Sequence, residues 1–154
     1  MAPLVEIAMS RGMPILTHAS EPVGHLYAGK GHTTPEVLCR FINNFPDATL
    51  IFAHWGGGLP FYALMPEVSS AMQNVYFDTA ASTFLYRPEV FPVVVGLVGE
   101  DKVLLGTDYP LMKQNGIIRQ VIDAPISDEA KEGILYNNAA RLLGIPDWNR
   151  SERS

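Results

Sequence analysis

The sequence predicts a parallel α/β fold. Three observations carry this. Four short apolar runs begin near residues 14, 49, 75 and 103, about thirty residues apart, with helical patterns between them. The runs are almost wholly apolar instead of alternating, as strands covered on both faces are. Each run ends in an imidazole or a carboxylate: His18, His54, Asp78 and Asp108.

Taken in order, PLVEIAMSRG (3–12) places Leu4, Val5, Ala8 and Met9 at helical spacing, and Gly12 stops the helix. MPILTH (13–18) is the first strand, and the glycine-rich stretch 19–33 is a polar loop. TPEVLCRFINNF (34–45) is a helix with Thr34 at its N-cap and Pro35 in the first position. TLIFAH (49–54) is the second strand, and Gly56, Gly57 and Gly58 follow. A helical pattern over 60–73 contains Pro66, which splits or kinks it. NVYFDT (74–79) is the third strand, 80–86 a loop, 87–99 an irregular helix and KVLLGTD (102–108) the fourth strand. Helices are expected near 114–123 and over 127–145, the latter capped by Ser127. Residues 1–148 read as one domain and 149–154 as a polar tail.

The composition bounds the function. With 154 residues, 47% of them hydrophobic and 18% charged, the chain can build a real core. The net charge is −5, and no basic run or Lys/Arg-striped helix is present, so no nucleic-acid or anionic-membrane surface is expected. The single cysteine, Cys39, lies in the apolar run VLCRFI and reads as a packed thiol. The six methionines fall mostly in apolar segments and read as core filler. No apolar run approaches the ~20 residues of a membrane helix, and MAPLVEIAMSRGM has no basic start. A cytoplasmic protein is the expectation.

In parallel α/β folds the loops behind the C-terminal strand ends form the functional face. His18, His54, Asp78 and Asp108 therefore gather on one rim, buried at the base and open at the tip. Neutral imidazole and ionised carboxylate suit zinc, manganese or iron. A bound cation acidifies its water and polarises a substrate oxygen, and a further unligated group can then move protons. Taken singly, a histidine at a strand end is commonly a hydrogen-bonded structural residue, and an aspartate before Tyr-Pro a turn residue. It is three of them on one rim that make a candidate site.

At PILTHASEP, FAHWGGG, LLGTDYP and YNNAARLLGI the sequence resembles the amidohydrolase superfamily, in the branch of aminocarboxymuconate-semialdehyde decarboxylase and related aromatic acid decarboxylases. The stretches span nearly the whole chain. The resemblance implies the C-terminal half of a (β/α)8 TIM-type barrel, strands five to eight, with a metal at the C-terminal rim. It implies His18 and Asp108 as metal ligands, and His54 and Asp108 as catalytic groups. Asp78 carries no transferable role and is expected to be a structural hydrogen-bonding residue. The loop after His18 is expected over the site, so that Glu21, His25, Tyr27 and Lys30 meet substrate. His25 and His32, in the same loop, either help to complete the metal site or read as solvated loop residues. The family's first strand carries His-x-His as further ligands, and no such motif occurs here.

Other residues have two readings. Trp55 and Tyr109 flank the ligands and either wall a substrate pocket or pack the rim. The triple glycine either admits a substrate carboxylate to backbone N–H groups or serves the sharp turn into the next helix. Arg87 either pairs an acidic substrate or opens an exposed helix before Pro88.

The expected function is a metal-dependent hydrolase of the amidohydrolase type, acting on a small, carboxylated substrate by hydrolysis or non-oxidative decarboxylation. The expected cofactor is a divalent metal, zinc first, with manganese or iron open. Its rival is a non-catalytic half-barrel that serves as a structural or assembly module. Strands one to four would come from an absent half, a separate polypeptide or a second copy, with self-association favoured because a half-sheet exposes its edges.

Overall fold

The computed structural model describes residues 2–24 and 26–145. Four strands form one sheet in sequence order: β1 (Ile15–Thr17), β2 (Leu50–Phe52), β3 (Val75–Asp78) and β4 (Val103–Leu104). Every neighbouring pair is parallel, with Ile15 opposite Leu50, Leu50 opposite Val75, and Phe77 opposite Val103. Parallel strands need crossovers, and helices supply them.

The helices follow the expected order. Ala2–Ser10 precedes β1, and Gly12 ends that segment at φ +62°. Pro35–Asn44 begins on its proline, and the Thr34 carbonyl accepts the Leu38 N–H, although the Thr34 hydroxyl makes no capping bond. Pro66 splits the next pattern into a 3-10 segment, Leu59–Leu64, and a helix, Pro66–Ala71, because a proline cannot donate to the preceding turn. Ser82–Leu85 is a single helical turn within the expected loop, and Val90–Val98 follows. Gln114–Asp123 matches its predicted span. The closing segment runs Asp128–Glu132, Gly133–Asn137 and Asn138–Leu142, the middle piece wound as a π-helix. The Ser127 hydroxyl caps it by accepting the Ala130 N–H at 3.0 Å. The expected tail, 149–154, lies outside the described residues.

Two apolar clusters flank the sheet. Leu38, Ile42, Leu50, Phe52, Val75 and Phe77 pack β1–β3 against the Pro35–Asn44 helix. Trp55, Phe91, Val94, Val103, Val121 and Ile134 pack β4 against the later helices. Asn138, 4% exposed, fastens the closing segment: its Nδ2 donates to the carbonyls of Glu100 at 2.7 Å and Val103 at 2.8 Å. The YNNAARL stretch thus ties the closing helical segment to the start of β4.

Two expectations need correction. The strands are shorter than expected: β1, β2 and β3 span three, three and four residues rather than six, and β4 two rather than seven. The Thr79 hydroxyl donates to the Gly106 carbonyl at 2.9 Å and accepts the Gly106 N–H at 3.1 Å, taking over the bonds of a strand partner. The second correction is to the coverage of the strands: Leu16, at the middle of β1, is 62% exposed. The edge strand is bare on one face, whereas its neighbour Ile51 in β2 is buried.

Candidate active site

The rim begins with β1. Successive strand residues face opposite sides, so Thr17 and His18 diverge. His18 stands at the open lip, with Nε2 2.9 Å from Ser20 Oγ. Ser20 is fully buried and closes the following loop in two ways. Its N–H donates to the Thr33 carbonyl at 2.9 Å, and its hydroxyl accepts the Gly31 N–H at 3.0 Å. The loop therefore folds back on itself beside His18.

β2 delivers His54 by an unusual turn. His54, Trp55, Gly56, Gly57 and Gly58 all have positive φ, between 55° and 93°. The chain makes a short left-handed turn, bridged by Gly57 N–H to the His54 carbonyl and Gly58 N–H to the Trp55 carbonyl. Left-handed backbone costs a non-glycine residue roughly 1–2 kcal/mol, so two such residues in succession need support. They have it. Asp78 Oδ1 accepts the His54 N–H at 2.9 Å, and Trp55 Nε1 donates to Ser82 Oγ at 2.6 Å. The glycines are there for the turn, since a Cβ on Gly56 would meet the Phe77 ring at 2.8 Å and one on Gly57 the Ser20 carbonyl oxygen at 2.5 Å.

The two imidazoles meet. The ring centroids of His18 and His54 lie 4.9 Å apart, with the planes at 73°. His54 Nδ1 faces the Ala80 carbonyl at 3.2 Å. A carbonyl only accepts, so in the neutral ring Nδ1 carries the proton and Nε2 is the basic nitrogen. Burial lowers the His18 pKa, and the His54 imidazole lowers it further, while Asp108, Glu21 and Asp78 act in the opposite direction.

Asp108 follows β4 with φ +63°, half-buried, its carbonyl accepting the Met112 N–H at 3.1 Å. Its charge acts on both His18 and Tyr27. Asp78 lies beneath, 7% exposed. Burial raises its pKa, against the two N–H groups of Ala80 and His54 that favour the charged form.

The loop residues split. Glu21 accepts from two tyrosines, Tyr27 at 3.2 Å and Tyr86 at 3.3 Å, and so joins the loop after β1 to the loop after β3. Burial, followed by the Glu21 charge, raises the pKa of both phenols. Lys30 Nζ donates to the Val23 carbonyl at 2.7 Å and lies 5.6 Å from the Tyr27 ring centre. His25 lies outside the described residues. Tyr109 is 72% exposed beside Asp108. Trp55 is corrected: it has no exposed surface, packs edge-on against Phe91 at 5.0 Å and cannot wall a pocket. Arg87 pairs with Glu89 at 2.9 Å on the surface. Ser20 and Tyr86 join the site without a candidate role in the sequence. Ser20 carries a signal, two residues beyond His18; Tyr86 carries none, because its partner is 65 residues away.

A model of the amidohydrolase family matches residues 2–145. The chain belongs to the amidohydrolase family. It is 26% identical to 2-amino-3-carboxymuconate-6-semialdehyde decarboxylase of Dictyostelium discoideum, over 93% of this chain and 48% of that protein. Among solved structures, it superposes on 5-carboxyvanillate decarboxylase of Sphingomonas paucimobilis with a TM-score of 0.75 at 17% identity, covering 92% of this chain and 52% of that one. A dihydroxybenzoic acid decarboxylase from a Polaromonas species, with bound manganese and the inhibitor 2-nitroresorcinol, gives 0.75 at 18%, covering 92% and 53%. This amidohydrolase chain therefore spans about half the length of these relatives. Its α/β fold, with four parallel strands, corresponds to half of their barrel.

The donor set of this amidohydrolase half-barrel bears on a metal directly. Among the described residues, no group of three or more His, Cys, Asp or Glu side chains is placed to hold a metal ion. His18 Nε2 is already engaged by Ser20. Catalytic zinc takes three protein ligands and structural zinc four. The described residues alone do not fit a resident metal. No helix among them is long and apolar enough to cross a membrane.

Proposed function

We propose that this chain carries one half of the active site of a metal-dependent amidohydrolase-type enzyme that removes CO2, without oxidation, from a small carboxylated substrate. The observation that carries the reading is the His18–His54 ring pair at 4.9 Å, delivered by adjacent parallel strands to one rim beside Asp108. Decarboxylation is preferred to hydrolysis because the similar proteins are named decarboxylases.

Replacing CO2 by hydrogen requires one proton at the carbon that loses the carboxylate. His54 is suited to deliver it: its Nδ1 is tied to a carbonyl, its Nε2 is basic, and it is nine-tenths buried. Asp108 acts electrostatically on His18 and is suited to join a ligand set. Glu21, Tyr27 and Lys30 lie in the loop expected over substrate, and Tyr109 lies exposed beside Asp108.

His18 and Asp108 would supply part of a coordination sphere. The remaining ligands would come from strands outside those described, whether on a longer chain, a separate polypeptide or a second copy. Manganese stands alongside zinc as the cation, since the Polaromonas structure contains it. A second reading, a non-catalytic assembly module, is favoured by the lack of a three-ligand cluster among the described residues.

Metal analysis and CO2 release test the proposal together. The enzyme reading expects manganese- or zinc-dependent CO2 release from an aromatic or dienoic carboxylic acid, lost in His54→Ala, with metal retention lost in His18→Ala. Protein that neither retains metal nor releases CO2, with or without added first-half polypeptide, leaves the assembly reading.

A further inference from the structure

Asp78 is used neither by the resemblance nor by the chemistry above, yet it is a buried carboxylate at the centre of the rim. Its Oδ1 accepts two N–H groups at 2.9 Å each, from His54 and from Ala80. The Ala80 carbonyl in turn faces His54 Nδ1 at 3.2 Å. Three residues thus close a ring of bonds: His54 backbone to Asp78, Asp78 to Ala80 backbone, and Ala80 carbonyl to the His54 side chain.

Packing holds this ring. A Cβ on Gly106 would meet Asp78 Cγ at 2.8 Å, so only glycine lets the fourth-strand segment lie against the carboxylate. Ala81, next to Ala80, has a φ of +55°, so both backbones gripped by Asp78 run into left-handed positions. Such strain persists only where surroundings over-determine it. A two-handed acceptor between the segments supplies that determination.

We infer that Asp78 is a positioning residue that presets the protonation pattern of His54: by fixing the Ala80 carbonyl against Nδ1, it leaves Nε2 as the basic nitrogen towards the rim. The structure of the ring stands by itself. Its consequence for catalysis rests on the reading of His54 as the proton carrier.

Nitrogen NMR of the histidine rings in the full chain, at a pH where His54 is neutral, tests this without any turnover. In the wild type, Nδ1 should resonate as protonated and Nε2 as unprotonated. Asp78→Asn keeps an oxygen acceptor of the same shape and should keep that pattern. Asp78→Ala should lose it, with the ring reverting towards the Nε2–H form that an unrestrained histidine favours in water, and with faster exchange of the Ala80 amide. A wild-type ring protonated on Nε2 overturns the inference. So does a folded Asp78→Ala protein with the wild-type pattern, or an Asp78→Asn protein without it. If Asp78→Ala does not fold, the wild-type and Asp78→Asn spectra still decide. Failure of CO2 release with the pattern intact counts against the proposed function alone.

Discussion

Gly57 lies so close to Ser20 that a Cβ on it would come 2.5 Å from the Ser20 carbonyl oxygen. The turn that carries His54 is thereby pressed against the residue that bonds His18. Gly57→Ala should pay twice, about 1–2 kcal/mol for a left-handed alanine and about 1–3 kcal/mol for displaced backbone. Gly12→Ala is the control, because it shares the positive φ but has nothing within 4 Å. Urea unfolding should show a loss of about 1–2 kcal/mol for Gly12→Ala and a further loss of about 1–3 kcal/mol for Gly57→Ala. Equal losses would mean that the close approach is not rigid.

Asn138 offers a second test. Its amide holds the Glu100 and Val103 carbonyls from a site 4% exposed. Asn138→Ala strips the buried Val103 carbonyl and the part-buried Glu100 carbonyl of their donor and should destabilise by about 1–3 kcal/mol, the cost of an unmet buried acceptor. Thermal unfolding measures it, and a change below about 0.5 kcal/mol, ordinary for a surface site, would remove the staple from the account.

The phenols of Tyr27 and Tyr86 have raised pKa values, chiefly through burial and then through Glu21. The sign follows from linkage. Each folded-state pKa lies above the unfolded value of about 10, so the contribution to stability is complete below pH 10 and is lost as pH rises through the folded values. Absorbance titration should show part of the tyrosine signal appearing late. The urea midpoint should fall above pH 10, and less steeply in Tyr86→Phe. An unaltered slope in that variant would contradict the Tyr86–Glu21 bond.

Cys39 is half-buried against the first core cluster, and burial raises its thiol pKa. The thiolate is the reactive form. A disulfide reagent at pH 8 should therefore label the native protein at least tenfold more slowly than the urea-unfolded chain. Equal rates would place the thiol in water.

The helices and the parallel sheet were legible because their signals are local: Pro35 opening one helix, Pro66 splitting another, Ser127 capping a third. That His18 and His54 meet on one rim followed from the strand direction, but a cluster of three metal donors that includes Asp108 did not form among the described residues. What escaped depends on side chains remote in sequence. β4 stops early because the Thr79 hydroxyl takes its bonds, a contact spanning 27 residues. GGG announced a turn, but its left-handed sense from His54 onward needs Asp78 and Ser82 beneath it. Trp55 beside His54 reads equally as a pocket wall or as rim packing until Ser82 and Phe91 enclose it.

The rim that carries His18, His54 and Asp108 is proposed as this chain's share of a cation site that other strands complete. The decisive measurement is a Mn2+ titration of the isotope-labelled full chain with the first-half polypeptide added, followed by paramagnetic broadening residue by residue. Early, joint broadening of His18, His54 and Asp108 is expected, abolished by His18→Ala. Broadening confined to distant carboxylates such as Asp123 and Glu129, with the rim resonances unchanged, would contradict it.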